Sequence, residues 1–379
     1  MPVQNYEPLN VATDVTTART LLHETIPLTG TIISGTYGTY GSEGNIKNYA
    51  HGQFQSVYDY PYLSSSANHI FDITMGYDED SFASASAVAG GANPGVQNSK
   101  KINMYNQFAQ VLLGYTGSAN TVEIFESDLN FADNNNQMKE VLFINFSRLL
   151  TKDQMKKGSF SITLGTGSWT DPFGSIGGTT SGHTGSLILS DVSASADGTG
   201  TTSCIGGDYG VLFITSGSGG TADGNASTGS QARGIVFYQA GIVVVTASVF
   251  VNNTNDFYYN QAGTKYNVTA AFVSASISGS CDALRRRVSN ISYNNTTEIN
   301  STIYFCRVPH NKFNYSSNPT YVTGSKLRVK SLATDTPISY ITTIGLYSAN
   351  NELLAVAKLS EPLKKDPTNE ITLRVRLDY

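Results

Sequence analysis

Apolar and polar positions alternate over short stretches along most of this chain, with the period of two that marks half-buried strands. Phe71, Ile73 and Met75 share one side of a run at 70–75, and Phe160, Ile162 and Leu164 do the same at 159–165. Residues 57–62, 186–189, 209–215, 235–239 and 242–251 are further strand candidates, 140–150 reads as a buried strand, and 266–278 is read as another. The Asn- and Thr-dense stretch 289–301 is expected to be a solvated loop. At the end of the chain, 326–331, 340–347, 352–359 and 371–377 form four candidate strands. In the last, Ile371, Leu373, Val375 and Leu377 are expected to face a core, while Thr372, Arg374 and Arg376 do not.

One helical period stands out. Behind Ser99, read as its N-cap, Ile102, Tyr105, Phe108, Ala109, Leu112 and Leu113 recur at helical spacing, with Gly114 or Gly117 as the stop. Near the N-terminus, a short helix before Gly30 is an option, and Pro27 with Thr31-Ile32-Ile33 favours a strand after it. The fold class is mainly β, α+β with few helices: antiparallel β-sandwich-like domains, a glycine-rich β insertion and a C-terminal antiparallel β module. The expected boundaries are 1–165, with one helix near 99–114; 166–233 for the Gly/Ser/Thr-rich insertion; 234–317 for return strands and the Asn-rich loop; and 318–379 for the C-terminal module.

Composition changes this picture in one respect. Only 14 % of the 379 residues are charged, against roughly 25 % in an average soluble domain, while 36 Gly, 22 Tyr and 17 Phe make a neutral, aromatic chain suited to packing against other protein. The net charge of −5 offers no sequence-wide basic field for nucleic acid. It is unevenly spread: residues 1–80 sum to −7 and residues 307–379 to +4. This polarity predicts contact between an acidic N-terminal segment and the basic C-terminal module, within one chain or between neighbours. The expected basic contributors are Lys364, Lys365, Arg374 and Arg376, with the Arg285-Arg286-Arg287 triple as a separate patch for interface or intramolecular ion pairs, or for phosphate.

Cys204, Cys281 and Cys306 fit neither a disulfide framework nor a zinc site and are expected to be free thiols in a reducing cytoplasm. No secretory signal is visible, and residues 234–251 read as buried strands rather than a membrane span. No phosphate loop, HExxH or GxSxG motif occurs, and His183 finds no serine partner. Asp78-Glu79-Asp80 and Asp128, Asn130 and Asp133 are oxygen-rich, yet the second group lacks the glycine and glutamate of an EF-hand, so solvated loops are expected. Catalytic, cofactor and metal residues are accordingly expected to be absent, and the chain is read as no enzyme. A hydrolase would need a carboxylate pair roughly 5–9.5 Å apart, which linear spacing does not define.

The segment SYITTIGLYSANNELLAVAKLSEPLKKDPTNEITLRVRLDY at 339–379 resembles the C-terminal strands of structural proteins from tailed bacteriophage virions, especially contractile-tailed marine and cyanobacterial ones. KINMYNQFAQVLLGY at 101–115 and EVLFINFSRLLTKDQMKKGSFSITLG at 140–165 resemble the same family. The resemblance implies a non-enzymatic virion subunit, made in the host bacterial cytoplasm, that assembles with copies of itself and neighbouring virion proteins at the tail, baseplate or neck. The alternative is a fibre or receptor-binding module in which 165–233 or 289–301, with Trp169 and Tyr209 as stacking rings, holds a host-surface glycan.

Overall fold

The computed structural model describes residues 6–34, 42–60, 68–84, 95–115, 122–126, 137–169, 183–195, 200–218, 232–250, 257–259, 265–316, 322–323, 326–327, 332 and 334–379. Asp128, Asn130 and Asp133, and the side chains of Trp169 and His183, lie outside them. The fold is mainly β and antiparallel, with a few helices, as the patterning predicts. It divides into a large unit, His23–Thr297, and a small one built from Met1–Leu22 with Glu298–Tyr379.

In chain order the large unit contains the second half of β1 (Val15–Thr29), then β2 (Ile46–Asn48), β3 (Gln55–Tyr58), β4 (His69–Tyr77), β5 (Glu140–Phe146), β6 (Gln154–Met155), β7 (Ser161–Trp169), β8 (His183–Ser190), β9 (Thr201–Cys204), β10 (Gly207–Ser218), β11 (Ala232–Phe237) and β12 (Ile242–Thr246). The strand order β15-β7-β8-β10-β11-β12-β5-β4-β3-β2, in which β15 is Val288–Val308, makes the glycine-rich stretch part of the main sheet. Both faces of its centre are covered. Along β5, Leu142, Ile144 and Phe146 enter one apolar cluster, and Val141 and Phe143 enter another. This explains why 140–146 is apolar almost throughout.

Helix α3 (Asn98–Leu112; α1 is Val11–Asp14 and α2 Gly30–Ser34) lies on β4 where Gly76 has no side chain. A Cβ there would stand 2.7 Å from the Lys101 carbonyl oxygen and 2.8 Å from the Tyr105 nitrogen, so only glycine permits this approach. Its N-cap is Gln97, in the left-handed region, rather than Ser99. Lys101 is fully buried, and its Nζ donates to the carbonyls of Phe272 at 2.6 Å and Ala275 at 2.8 Å. Burial lowers its pKa to about 7.

Three local expectations are overturned. Residues 266–278 are not a strand: α5 (Val268–Ser274) and α6 (Ile277–Arg287) follow α4 (Arg148–Thr151), and Asn267 and Ser276 cap them by accepting from Ala270 N and Gly279 N. Ile277, Cys281, Leu284 and Val288 then fall on one buried face. The 289–301 stretch is not a loop but part of β15, in which Ile291 and Tyr293 are buried among apolar side chains. Asn295, buried in the same stretch, is satisfied individually: it accepts from Glu24 N at 3.1 Å and donates to Leu150 O at 3.0 Å. Finally, a short helix, α1, does precede Gly30, but 31–33 belong to a second helix rather than to a strand, and the strand β1 lies between the two. Pro27 is accommodated because β1 ends the strand order, where a missing N–H costs little.

In the small unit, β18 (Ser339–Tyr347) and β19 (Leu353–Lys365) form a two-stranded sheet, whereas β20 (Ile371–Asp378) pairs with Ser301–Val308 of β15. Short β13 (Tyr258–Tyr259) and β14 (Lys265–Tyr266) pair in the large unit, and β16 (Val322–Thr323) with β17 (Lys326–Leu327) in the small one. The expected four-strand C-terminal module is thus split, since its strands find different partners.

Candidate assembly surface

The arginine triple closes helix α6, where the carbonyl end favours cations. Arg285 is 1 % exposed; its Nη2 lies 2.9 Å from Asp282 Oδ1 and 3.2 Å from Glu43 Oε1, and its Nε donates to Gln55 Oε1 at 3.1 Å. Burial pulls its pKa down, but the Asp282 and Glu43 carboxylates push it up and prevail. Arg286 also reaches Glu43, at 3.3 Å. Arg287 is buried, donates to Gly165 O at 3.1 Å and lies over the Phe250 and Phe257 rings. All three fasten the end of α6 inside the large unit, and Arg285 and Arg286 do so through the intramolecular ion pairs that were one of the roles expected of 285–287.

The C-terminal basic residues separate by strand face. Lys364 is exposed and sits 3.3 Å from Asp366, whose pKa is held low chiefly by Thr368 hydrogen bonds. Lys365 is fully buried instead, and its Nζ donates to Asn314 Oδ1 at 2.7 Å, Asp366 O at 2.8 Å and His310 O at 3.2 Å. It is an internal tie and lines no surface. Arg374 is exposed, and Arg376 donates to Asp378 at 2.6 Å and to Ser301 Oγ at 3.0 Å. The acidic N-terminal segment meets this basic module within the chain: Glu7 pairs with Lys312 at 2.5 Å and Asp14 with Arg307 at 2.9 Å.

The most unusual surface is the β18–β19 hairpin. Ile344, Gly345 and Leu346 oppose Ala357, Val356 and Ala355, and the reversal at 348–352 uses Asn351 in the left-handed region, with Ser348 Oγ accepting from Asn350 N and Glu352 N. Leu353-Leu354-Ala355-Val356-Ala357 is apolar at five consecutive positions, the composition of a strand covered on both faces. Yet Leu354 is 68 % and Val356 54 % exposed, and Tyr340, Tyr347 and Leu353 are exposed with them. No third strand joins either edge among the described residues. Charge arithmetic overlooked these residues; the unbroken apolar run was the available signal.

The chemistry of other groups is local. Among the described residues, no group of three His, Cys, Asp or Glu side chains converges for a metal. Asp191, whose pKa burial raises, accepts from Gly158 N, Phe160 N and Tyr238 OH and so holds a turn. Tyr209, one of the two rings expected to stack on a glycan, is fully buried, and 289–301 lies in strand β15. Comparisons with family models, curated proteins and solved structures found no match.

Proposed function

We propose that this protein is a non-enzymatic structural subunit of a tailed-bacteriophage virion, joined to further copies of itself through the β18–β19 hairpin. The resemblance of 101–115, 140–165 and 339–379 to virion proteins supports the setting. The observation that carries the assembly role is the apolar run of β19 left exposed on a two-stranded sheet. Such a hairpin is marginal in water without cover, and exposed apolar patches mark interaction surfaces.

A second copy suits this surface better than an unlike partner. Strand β18, SYITTIGLY, has no charge and no proline, the guards that keep natural edge strands from pairing with themselves. Its neutral edge accepts the same strand from a neighbour, and Leu354 and Val356 gain cover in the same step. Light scattering on the full chain is expected to show a multimer that Leu354→Glu with Val356→Glu converts to folded monomer. A wild-type chain that stays monomeric when concentrated overturns the assembly role, and its absence from mass spectra of purified virions overturns the setting.

A further inference from the structure

On the face of the large unit's sheet that carries α3, a cavity of about 320 Å³ opens between that helix and strands β4, β5 and β12. Strand register places Ser56, Asp72, Asn145 and Ile242 in one cross-strand row. Phe54, Met104, Phe108 and Ile242 supply apolar walls, and Asp72 and Asn145 stand side by side as polar groups between them. Phe108 is held by stacking on Phe143, with ring centroids 4.2 Å apart, so the wall is preformed.

The polar pair is only half used. Asp72 Oδ1 accepts from Ser56 Oγ at 2.5 Å and faces His69 Nε2 at 2.8 Å, which fixes the carboxylate plane and leaves Oδ2 without a protein partner among the described residues. The half-buried Asn145 amide likewise has no hydrogen bond to a described residue, although the next position on its face, Phe143, is wholly buried. A carboxylate oxygen beside an amide presents an acceptor next to a donor.

We infer that this cleft is a saccharide-binding site for one or two pyranose rings. Adjacent ring hydroxyls offer the complement of the pair: one donates to Asp72 Oδ2, and its neighbour accepts from Asn145 Nδ2. The apolar C–H face of the same ring packs on Phe54 and Phe108. A plain hydrophobe would strip water from Asp72 and Asn145 without replacing it. An alkylammonium ion would engage the carboxylate but leave the amide N–H unmatched. The volume lies at the lower end of the 300–1,000 Å³ typical of small-molecule sites.

Saturation-transfer NMR and titration calorimetry on the full chain, with methyl pyranosides of the common hexoses and N-acetylhexosamines and their disaccharides, test this. At least one sugar is expected to bind, with affinity reduced about tenfold or more by Asn145→Leu and by Asp72→Asn. Val111→Trp, at an exposed rim position of α3, is expected to block the cleft while thermal melting stays unchanged. Leu354→Glu with Val356→Glu should leave sugar binding intact, which separates this site from the assembly surface. The inference is overturned if no sugar in the set shows transfer, if binding survives all three cleft variants, or if spermidine or alkylammonium ions bind where sugars do not.

Discussion

Strand β5 of the large unit and strand β19 of the small one carry the same message in sequence, consecutive apolar residues that ask for cover on two faces, and receive different answers. Val141 to Ile144 are fully buried, divided between two clusters, whereas Leu354 and Val356 are more than half exposed. Each fully buried aliphatic side chain contributes about 1.5–3 kcal/mol, so β5 is stabilised within its own unit, whereas the two-stranded sheet of β18 and β19 does not supply that term to Leu354 and Val356. Burial of basic groups follows the same division. The large unit internalises Arg285, Arg287 and Lys101, while the small unit internalises Lys365 and leaves Lys364, Arg374 and Arg376 outside.

The contrast can be broken most strongly at Arg285. Arg285→Ala removes the buried partner of Asp282 and leaves Glu43 with Arg286 alone, and is expected to cost about 3–5 kcal/mol. Urea denaturation should show this in the large unit's transition; a shift below about 1 kcal/mol would mean that solvent replaces the guanidinium. Next comes Lys101, whose pKa burial lowers from 10.5 to about 7. Between those values the unfolded chain binds more protons than the folded one, so this group makes stability rise with pH across that window and weakens the fold below it. Lys101→Met is expected to flatten that rise, as chemical denaturation at pH 6.5 and 9.5 would reveal, and an unchanged slope would refute the assignment.

Lys365→Met removes a charged donor from three acceptors and is expected to cost about 1.5–3 kcal/mol, against about 0–1 kcal/mol for exposed Lys364→Met. Thermal melts of the two single variants compare neighbouring residues on opposite strand faces. Reversing both lysines to Glu is therefore a test of folding, and Lys364→Glu alone is the appropriate probe of assembly. The smallest effect on subunit stability is expected for Leu354→Glu with Val356→Glu, within about 0.5 kcal/mol when measured on dilute monomer. A large loss there would show that the hairpin supports its own unit instead of a neighbour.

What the sequence made legible was local periodicity. The alternation around Ile73 and Ile162 and the helical spacing from Ile102 to Leu112 need only neighbouring residues, and those elements form where expected. The Asn-rich half of β15 looked like a loop because its satisfaction comes from Glu24 and Leu150, which no local window contains. Burial of Arg285 was hidden for the same reason: Glu43 and Gln55 lie more than 200 positions away. In 266–278 the capping roles of Asn267 and Ser276 were the missed signal, overshadowed by β-branched neighbours. The candidate surface was half visible, as an apolar run, while its exposure depends on which strands pair, and that pattern alone does not specify.

Because the small unit draws its chain from both ends, with Glu7 and Asp14 paired to Lys312 and Arg307, the ribosome imposes an order on its appearance. The intervening segment that makes the large unit is synthesised before Glu298, and domains fold as their chain becomes available. The early segment must wait for partners encoded some three hundred residues later. The β18–β19 hairpin is thus synthesised after the chain of the large unit. Vectorial synthesis in this way exposes the apolar run of β19 only after the large unit's chain has been made.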